Sequence, residues 1–381
     1  MPSDAPTPLQ RLSAIGQSVW VDFLSRESIR GGHLQELIDD YSVVGATSNP
    51  TIFEKAMSEG SAYDEQLHEL LDGDPAHPGD ASDSFWALAI QDIKDACDLF
   101  RPVWDGERGA RPSRDGYVSL EVDPRLAYDT LQTFREAMRL HKTVERPNLM
   151  VKIPATRPGL AAIEDVIAKG HSINVTLIFS LRRYAEVAES YTRGIERLVA
   201  EGGDPSTVAS VASFFVSRID TEADRRLQES TDPAAKDLQG KLAIANARLA
   251  YRHYQEAFSG PRWEYLAGKG APPQRVLWAS TSTKNPAYLD TLYVEELIGP
   301  DTVNTMPEDT IKAYQDHGDP QPRLESGVED AQELLAQLER AGVDYDDVTS
   351  TLEREGVEKF SESFEELMQS LSAKRESLAP A

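Results

Sequence analysis

The chain contains one cysteine, Cys97, so neither an internal disulfide nor a cysteine-cluster metal site can form. Histidine is sparse as well. The seven (His33, His68, His77, His141, His171, His253 and His317) never fall at His-x-x-x-His or a related ligand spacing, which leaves metal-dependent chemistry without support. No GxGxxG or GxxxxGK[ST] occurs, and Gly268-Lys269-Gly270 lacks the spacing of a phosphate loop. There is no apolar run of about 18 residues and no charged-then-apolar leader, so neither a membrane span nor a signal peptide is expected, and the cytoplasm is the expected location. Positive charge is the minority sign: 39 Lys and Arg against 64 Asp and Glu give a net charge of −25. That balance argues against nucleic acid or an anionic membrane as partner, and it admits a small anionic substrate only where cations are concentrated locally.

Short β-rich runs alternate with long amphipathic stretches, the pattern of βα units around a parallel sheet. Eight runs read as strands: 18–24, 42–48, 117–122, 149–154, 172–179, 207–216, 275–280 and 301–305. Eight suggests closure, so the expected fold class is α/β, a (β/α)8 TIM barrel with additional C-terminal helices. Helical segments are expected at 125–142, 159–169, 181–200 and 219–259, the last long enough for more than one helix. Trp86, Ile90, Ile93, Cys97 and Phe100 share one helix face, which places Cys97 in the core. The chain reads as a single domain over 1–381 and exceeds the roughly 250 residues of a minimal barrel. The surplus falls in a surface excursion at 102–116, a flexible tail over 1–10, and a helical addition at 326–381 whose acidic helices are expected to be solvated outer faces packed on the barrel.

Lys152 stands alone in the apolar, β-like run Leu149-Met150-Val151-Lys152-Ile153-Pro154. Desolvation lowers the pKa of an amine, and a neutral amine can attack a ketone to form a Schiff base. The plain alternative is a lysine whose tip reaches solvent. Side-chain parity bears on the choice, because alternate residues of a barrel strand point to the interior and to the surrounding helices. With Val19, Val21 and Phe23 outward, Asp22 points in; with Val118, Leu120 and Val122 outward, so does Glu121. Leu149, Val151 and Ile153 outward put Lys152 inside, and Ile173, Val175 and Leu177 outward put Asn174 and Thr176 inside. Thr47 and Asn49 are directed inward at the end of the second run. Each residue has a bland reading: an acid as half of a buried ion pair with Lys152, a threonine as a common β-former, Asn49-Pro50 as a turn. Their shared parity late in their strands favours a site at the carboxyl-end face, where barrel enzymes place their chemistry. After the sixth and seventh runs, Ser213, Arg218 and Lys284 supply a hydroxyl and two cations suited to an anion, although Arg218 could instead pair with Asp220 or Glu222.

Four ordered segments resemble the transaldolase family: Gly45-Ala46-Thr47-Ser48-Asn49-Pro50-Thr51, Ser119-Leu120-Glu121-Val122-Asp123, Leu149-Met150-Val151-Lys152-Ile153-Pro154-Ala155-Thr156, and Asn174-Val175-Thr176-Leu177-Ile178-Phe179-Ser180. The resemblance runs from about residue 18 to about 318 and is strongest to the longer bacterial members. It implies a Schiff-base lysine at Lys152, a general base at Asp22, and a proton-shuttling water held by Glu121 and Thr176. It further implies Asn49 on the three-carbon intermediate, Thr47 among the substrate-binding residues, and Ser213, Arg218 and Lys284 on the phosphate. Shorter members carry arginine at the position of Lys284 and glycine at that of Ser217, so the role of Ser282 stays open. The implied activity moves a dihydroxyacetone unit between ketose and aldose phosphates in the non-oxidative pentose phosphate pathway, without metal or cofactor. The alternatives are a fructose-6-phosphate aldolase-type enzyme of the same superfamily and a non-catalytic sugar-phosphate-binding protein. Sugar phosphates are the expected partners, and the oligomeric state stays open, with a homodimer as one option.

Overall fold

The computed structural model describes residues 5–58, 60–72, 79–107 and 114–378. Its centre is a closed parallel barrel of β1 (Gln17–Val21), β2 (Val43–Thr47), β3 (Val118–Glu121), β4 (Leu149–Pro154), β5 (Ile173–Ile178), β6 (Ser210–Phe215), β7 (Arg275–Ala279) and β8 (Thr302–Met306), in sequence order, with β8 pairing back onto β1. All eight expected strands are present, and 149–154 agrees at both ends. The 207–216 run begins only at Ser210, because Pro205–Thr207 forms a 3-10 turn capped by Asp204.

The sheet is buried on both faces, as a parallel barrel requires. Val19, Val43, Val151, Ile173, Val175 and Val276 are fully buried in the layer between strands and helices. Inside, Trp20 fills space that Gly45 leaves open: a Cβ added at Gly45 would lie 2.6 Å from the indole. Helices begin where short polar side chains cap them. Thr156 accepts from Gly159 N–H ahead of Arg157–Ala168, and Ser180 accepts from Arg183 N–H ahead of Leu181–Ala200. The 219–259 stretch resolves into Ser217–Glu229, Ala235–Leu238 and Leu242–Ala257.

Three expectations change. Residues 8–10 are helical rather than frayed, because Thr7 and Gln10 form a capping box at the start of Pro8–Ile15, and Leu9 and Leu12 are buried; residues 1–4 lie outside the described residues. Of the 102–116 excursion, 102–104 end the helix Ala81–Trp104 and 108–113 lie outside the described residues. Asp115 is buried and pairs with Arg275 at 3.0 Å.

The third change concerns the C-terminal addition. The helix Val328–Arg340 packs on the outside against Leu242–Ala257, as an outer layer should. The 34-residue helix Tyr345–Leu378 does not, since it crosses the carboxyl-end mouth of the barrel. Its buried stripe Val357, Phe360, Phe364, Leu367 and Leu371 is spent on the mouth and on the helices Pro50–Ser58 and Ala81–Trp104. Polar ties hold it. Tyr345 OH accepts from Leu181 N–H at 3.0 Å and donates to Asn246 Oδ1 at 2.6 Å, and the Thr51 and Ser363 hydroxyls share a 2.8 Å bond. At Gly356 the helix comes so close to the end of β5 that an added Cβ would sit 3.0 Å from Leu177 Cδ2. Leu177, expected to face the outer helices, instead has φ 60 where the β5 register shifts, and meets this helix.

Candidate active site

The carboxyl-end mouth opens into a cavity of about 1230 Å³ lined by Asp22, Thr47, Asn49, Lys152, Thr176, Ser213, Arg218 and Lys284, among others. Glu121 lies just behind that wall. β3 and β4 pair Glu121 directly with Lys152, and β4 and β5 pair Lys152 with Asn174, so in-register neighbours project inward at one level.

Lys152 is only 5% exposed at the cavity floor. Its Nζ donates to the Ser48 carbonyl at 2.9 Å and lies 3.2 Å from Glu121 Oε2, a close charge contact outside hydrogen-bond alignment. Glu121 is buried, and burial pushes its carboxyl above the ordinary carboxylate range, with the Lys152 charge opposing the shift. The lysine is therefore not the isolated cation its strand suggests. A carboxylate that burial makes more basic stands next to it, able to exchange a proton with it. Both Glu121 oxygens and the Thr176 hydroxyl are buried without a hydrogen-bond partner among the described residues, on β3 and β5, the two strands that flank β4 and its Lys152.

Across the cavity, Asp22 continues β1 by one residue, its N–H donating to the Met306 carbonyl at 2.8 Å. Thr47 donates to Asp22 Oδ1 at 2.7 Å and is itself 2.7 Å from the Thr305 hydroxyl. Thr47 thus orients the carboxylate rather than offering a free hydroxyl to a ligand. Asn49 lines the cavity with its side-chain oxygen held by Ile52 N–H at 3.0 Å, at the start of the helix Pro50–Ser58.

The residues expected on an anion separate by depth. Ser213 sits within β6 and donates to Asn174 Oδ1 at 2.7 Å, while Asn174 Nδ2 donates to Ser119 Oγ at 3.1 Å, so Asn174 works beneath the cavity as a bridge between strands. Arg218 stands higher, in the first turn of Ser217–Glu229, with its guanidinium 5.2 Å from the Phe215 ring. The alternative of a surface pair with Asp220 or Glu222 is excluded. Asp220 accepts from Ala243 N–H and Tyr293 OH, Glu222 accepts from Arg225 and Arg226, and Arg218 has no carboxylate within 4.0 Å among the described residues. Burial lowers the pKa of Arg218 from its usual value, with the Asp22 charge opposing the shift, and the guanidinium lines the cavity. Lys284 joins it at the rim and donates to Ser282 Oγ at 2.8 Å, which gives Ser282 a supporting part. The Ser217 and Ser280 hydroxyls, 2.9 Å apart, tie the two rim segments together.

Several lining residues were not picked out from the sequence. Thr305 faces inward because β8 pairs it with Trp20, a register invisible before the strands are aligned. Phe215, Phe360 and Lys359 also line the cavity. Ser280 does so with φ 58, an uncommon backbone conformation for a residue with a Cβ.

Among the described residues no helix is long and apolar enough to cross a membrane. A model of the family described as Transaldolase/Fructose-6-phosphate aldolase matches residues 19–371. Relatives that carry the name Transaldolase match over nearly the whole chain, among them the following. That of Parafrankia sp. (strain EAN1pec) is 52% identical over 375 residues, 98% of this chain and 99% of that protein. That of Acidothermus cellulolyticus is 53% identical over 361 residues, 94% and 95% of the two chains. That of Mycobacterium bovis is 50% identical over 367 residues, 96% of each.

Proposed function

The chain belongs to the transaldolase/fructose-6-phosphate aldolase family, and on that premise we propose that it transfers a dihydroxyacetone unit between sugar phosphates through a Schiff base on Lys152. The observation that carries this reading is the placement of Lys152 Nζ 3.2 Å from Glu121 at the floor of a cavity with Asp22 on its wall and two cations at its rim.

Glu121 takes a proton from Lys152, and the free amine attacks the ketone carbon of the bound ketose phosphate. A water held between Glu121 and Thr176, whose buried oxygens have no hydrogen-bond partner among the described residues, carries the proton that turns the carbinolamine hydroxyl into a leaving water. The imine then acts as an electron sink. Asp22 accepts the C4 hydroxyl proton, the C3–C4 bond breaks, and its electron pair moves into the imine to leave an enamine. Thr47 keeps the Asp22 carboxylate aimed, and Asn49 hydrogen-bonds the three-carbon unit while the aldose phosphate departs. An acceptor aldose phosphate enters, the enamine carbon attacks its aldehyde, and Asp22 returns the proton to the new hydroxyl. Arg218 and Lys284 grip the phosphate, and Ser213 lines the passage below them. The scheme needs neither metal nor organic cofactor. With sedoheptulose 7-phosphate and glyceraldehyde 3-phosphate it gives erythrose 4-phosphate and fructose 6-phosphate, the non-oxidative pentose phosphate exchange.

Acceptor dependence tests the reading. With fructose 6-phosphate alone, glyceraldehyde 3-phosphate should form only to about the concentration of enzyme, and added erythrose 4-phosphate should produce sustained turnover. Sustained release of free dihydroxyacetone without acceptor would assign the chain to aldolase chemistry instead.

A further inference from the structure

The helix Tyr345–Leu378 is the largest element that the catalytic scheme leaves without a part. Two consecutive residues of it, Lys359 and Phe360, line the same cavity as Lys152, Arg218 and Lys284. Phe360 is buried, and its ring centre lies 6.0 Å from Lys152 Nζ. The rotation of the helix about its own axis is fixed on either side of that contact. One turn earlier Gly356 closes on Leu177, and one turn later Ser363 bonds Thr51. Lys359 therefore has a defined direction, about 100° around the helix from Phe360. It is exposed, lines the cavity, and has no carboxylate within 4.0 Å among the described residues.

The electrostatics agree. Burial lowers the pKa of Lys284, the positive charges of Arg218 and Lys359 lower it further, and the Asp22 charge opposes them, so the three cations share one neighbourhood. Like charges that repel one another at the rim of a protein of net charge −25 are relieved by an anion placed among them.

We propose that Lys359 is a third cation of the phosphate-binding end of the site, delivered by the C-terminal helix, and that it raises the preference for phosphorylated over unphosphorylated sugars. The inference rests on reading Arg218 and Lys284 as the phosphate-binding pair. Phe360 and Lys359 then divide one helix between the two ends of the substrate: an aromatic wall over the reacting carbon and a charge beside the phosphate.

The test compares R218A, K359Q, K359E and K359R in the full chain, with fructose 6-phosphate or fructose as donor and the same acceptor. K359Q should raise KM for fructose 6-phosphate roughly two- to fivefold, the scale of one exposed charge contact, with kcat little changed. K359E should raise it further, K359R should restore it, and none should alter kcat/KM with fructose by as much. K359Q should also weaken the dependence of kcat/KM on ionic strength, which a purely structural role would not move. If R218A raises KM while K359Q and K359E leave it flat, the role of Lys359 is overturned and the phosphate reading stands. Equal losses on both donors likewise overturn it, as a packing effect. If R218A is flat while K359Q raises KM, the pair reading fails and Lys359 remains an anion contact. If both are flat, both fail.

Discussion

In the proposed scheme Lys152 and Asp22 divide the chemistry between an electron sink and a base, and each has one close polar neighbour. For Lys152 that neighbour is Glu121, at 3.2 Å; for Asp22 it is Thr47, at 2.7 Å. Asp22→Asn keeps the volume and the Thr47 contact but cannot take the hydroxyl proton. Its kcat for transfer should therefore fall by roughly 10²–10⁴-fold, while imine formation at Lys152 persists and is seen by mass spectrometry after reduction. A loss of imine equal to the loss of turnover would mean that Asp22 acts before bond cleavage. Parity alone pointed Asp22, Glu121, Lys152 and Thr176 inward, because a strand of period two leaves a lone polar residue among alternating apolar ones only one direction to face. It could not rank them by depth. Asn174 has the same parity, yet it lies beneath the cavity and bridges Ser213 to Ser119, and only strand register separates a floor residue from a buried bridge.

The C-terminal helix shows the limit of the same reasoning applied to elements. Its stripe of Val357, Phe360, Phe364, Leu367 and Leu371 reveals that one face is buried, but not which surface buries it, so a cap on the barrel mouth reads like an outer layer. The eight strands were legible because Val- and Ile-rich runs bounded by turns have few other uses. Tertiary closeness, such as Gly356 against Leu177, leaves no periodic trace. Phe364 is the main anchor. It is 1% exposed, meets Phe85 edge-on with centroids 5.2 Å apart, and carries the Arg125 guanidinium 4.8 Å from its ring centre. Phe364→Ala should lower stability by about 3–5 kcal/mol in urea titration, the usual loss for a buried aromatic ring. A change below about 1 kcal/mol would contradict the docked helix, since surface substitutions fall in that range.

For the molecule as a whole, the charge at the barrel mouth differs from that of the outer helices. Cations gather at the carboxyl-end mouth of a chain of net charge −25, whereas the outer helices pair their charges with one another. Composition gave the average and argued against polyanions as partners. It could not locate the exception, which depends on Arg218, Lys284 and Lys359 meeting from residues up to 141 apart in sequence (359 minus 218). Global stability should also depend on pH through the stacked pair His141 and His171, whose ring centres are 4.4 Å apart. Burial, reinforced by the His171 charge, lowers the His141 pKa from 6.5 to about 3, and burial lowers that of His171 as well. The unfolded chain therefore binds protons below pH 6.5 that the folded chain refuses, so this contribution is intact above pH 6.5 and is lost as pH falls from there toward 3. His141→Gln should flatten that acid slope in denaturation measured from pH 7 to 5, and an unchanged slope would remove the pair from the account. The central claim is the covalent one, and trapping with borohydride tests it most directly. Enzyme incubated with fructose 6-phosphate and reduced should lose activity and gain the mass of one reduced adduct, mapped by peptide sequencing to Lys152. An adduct on another lysine, or full activity and unchanged mass after reduction during turnover, would contradict it.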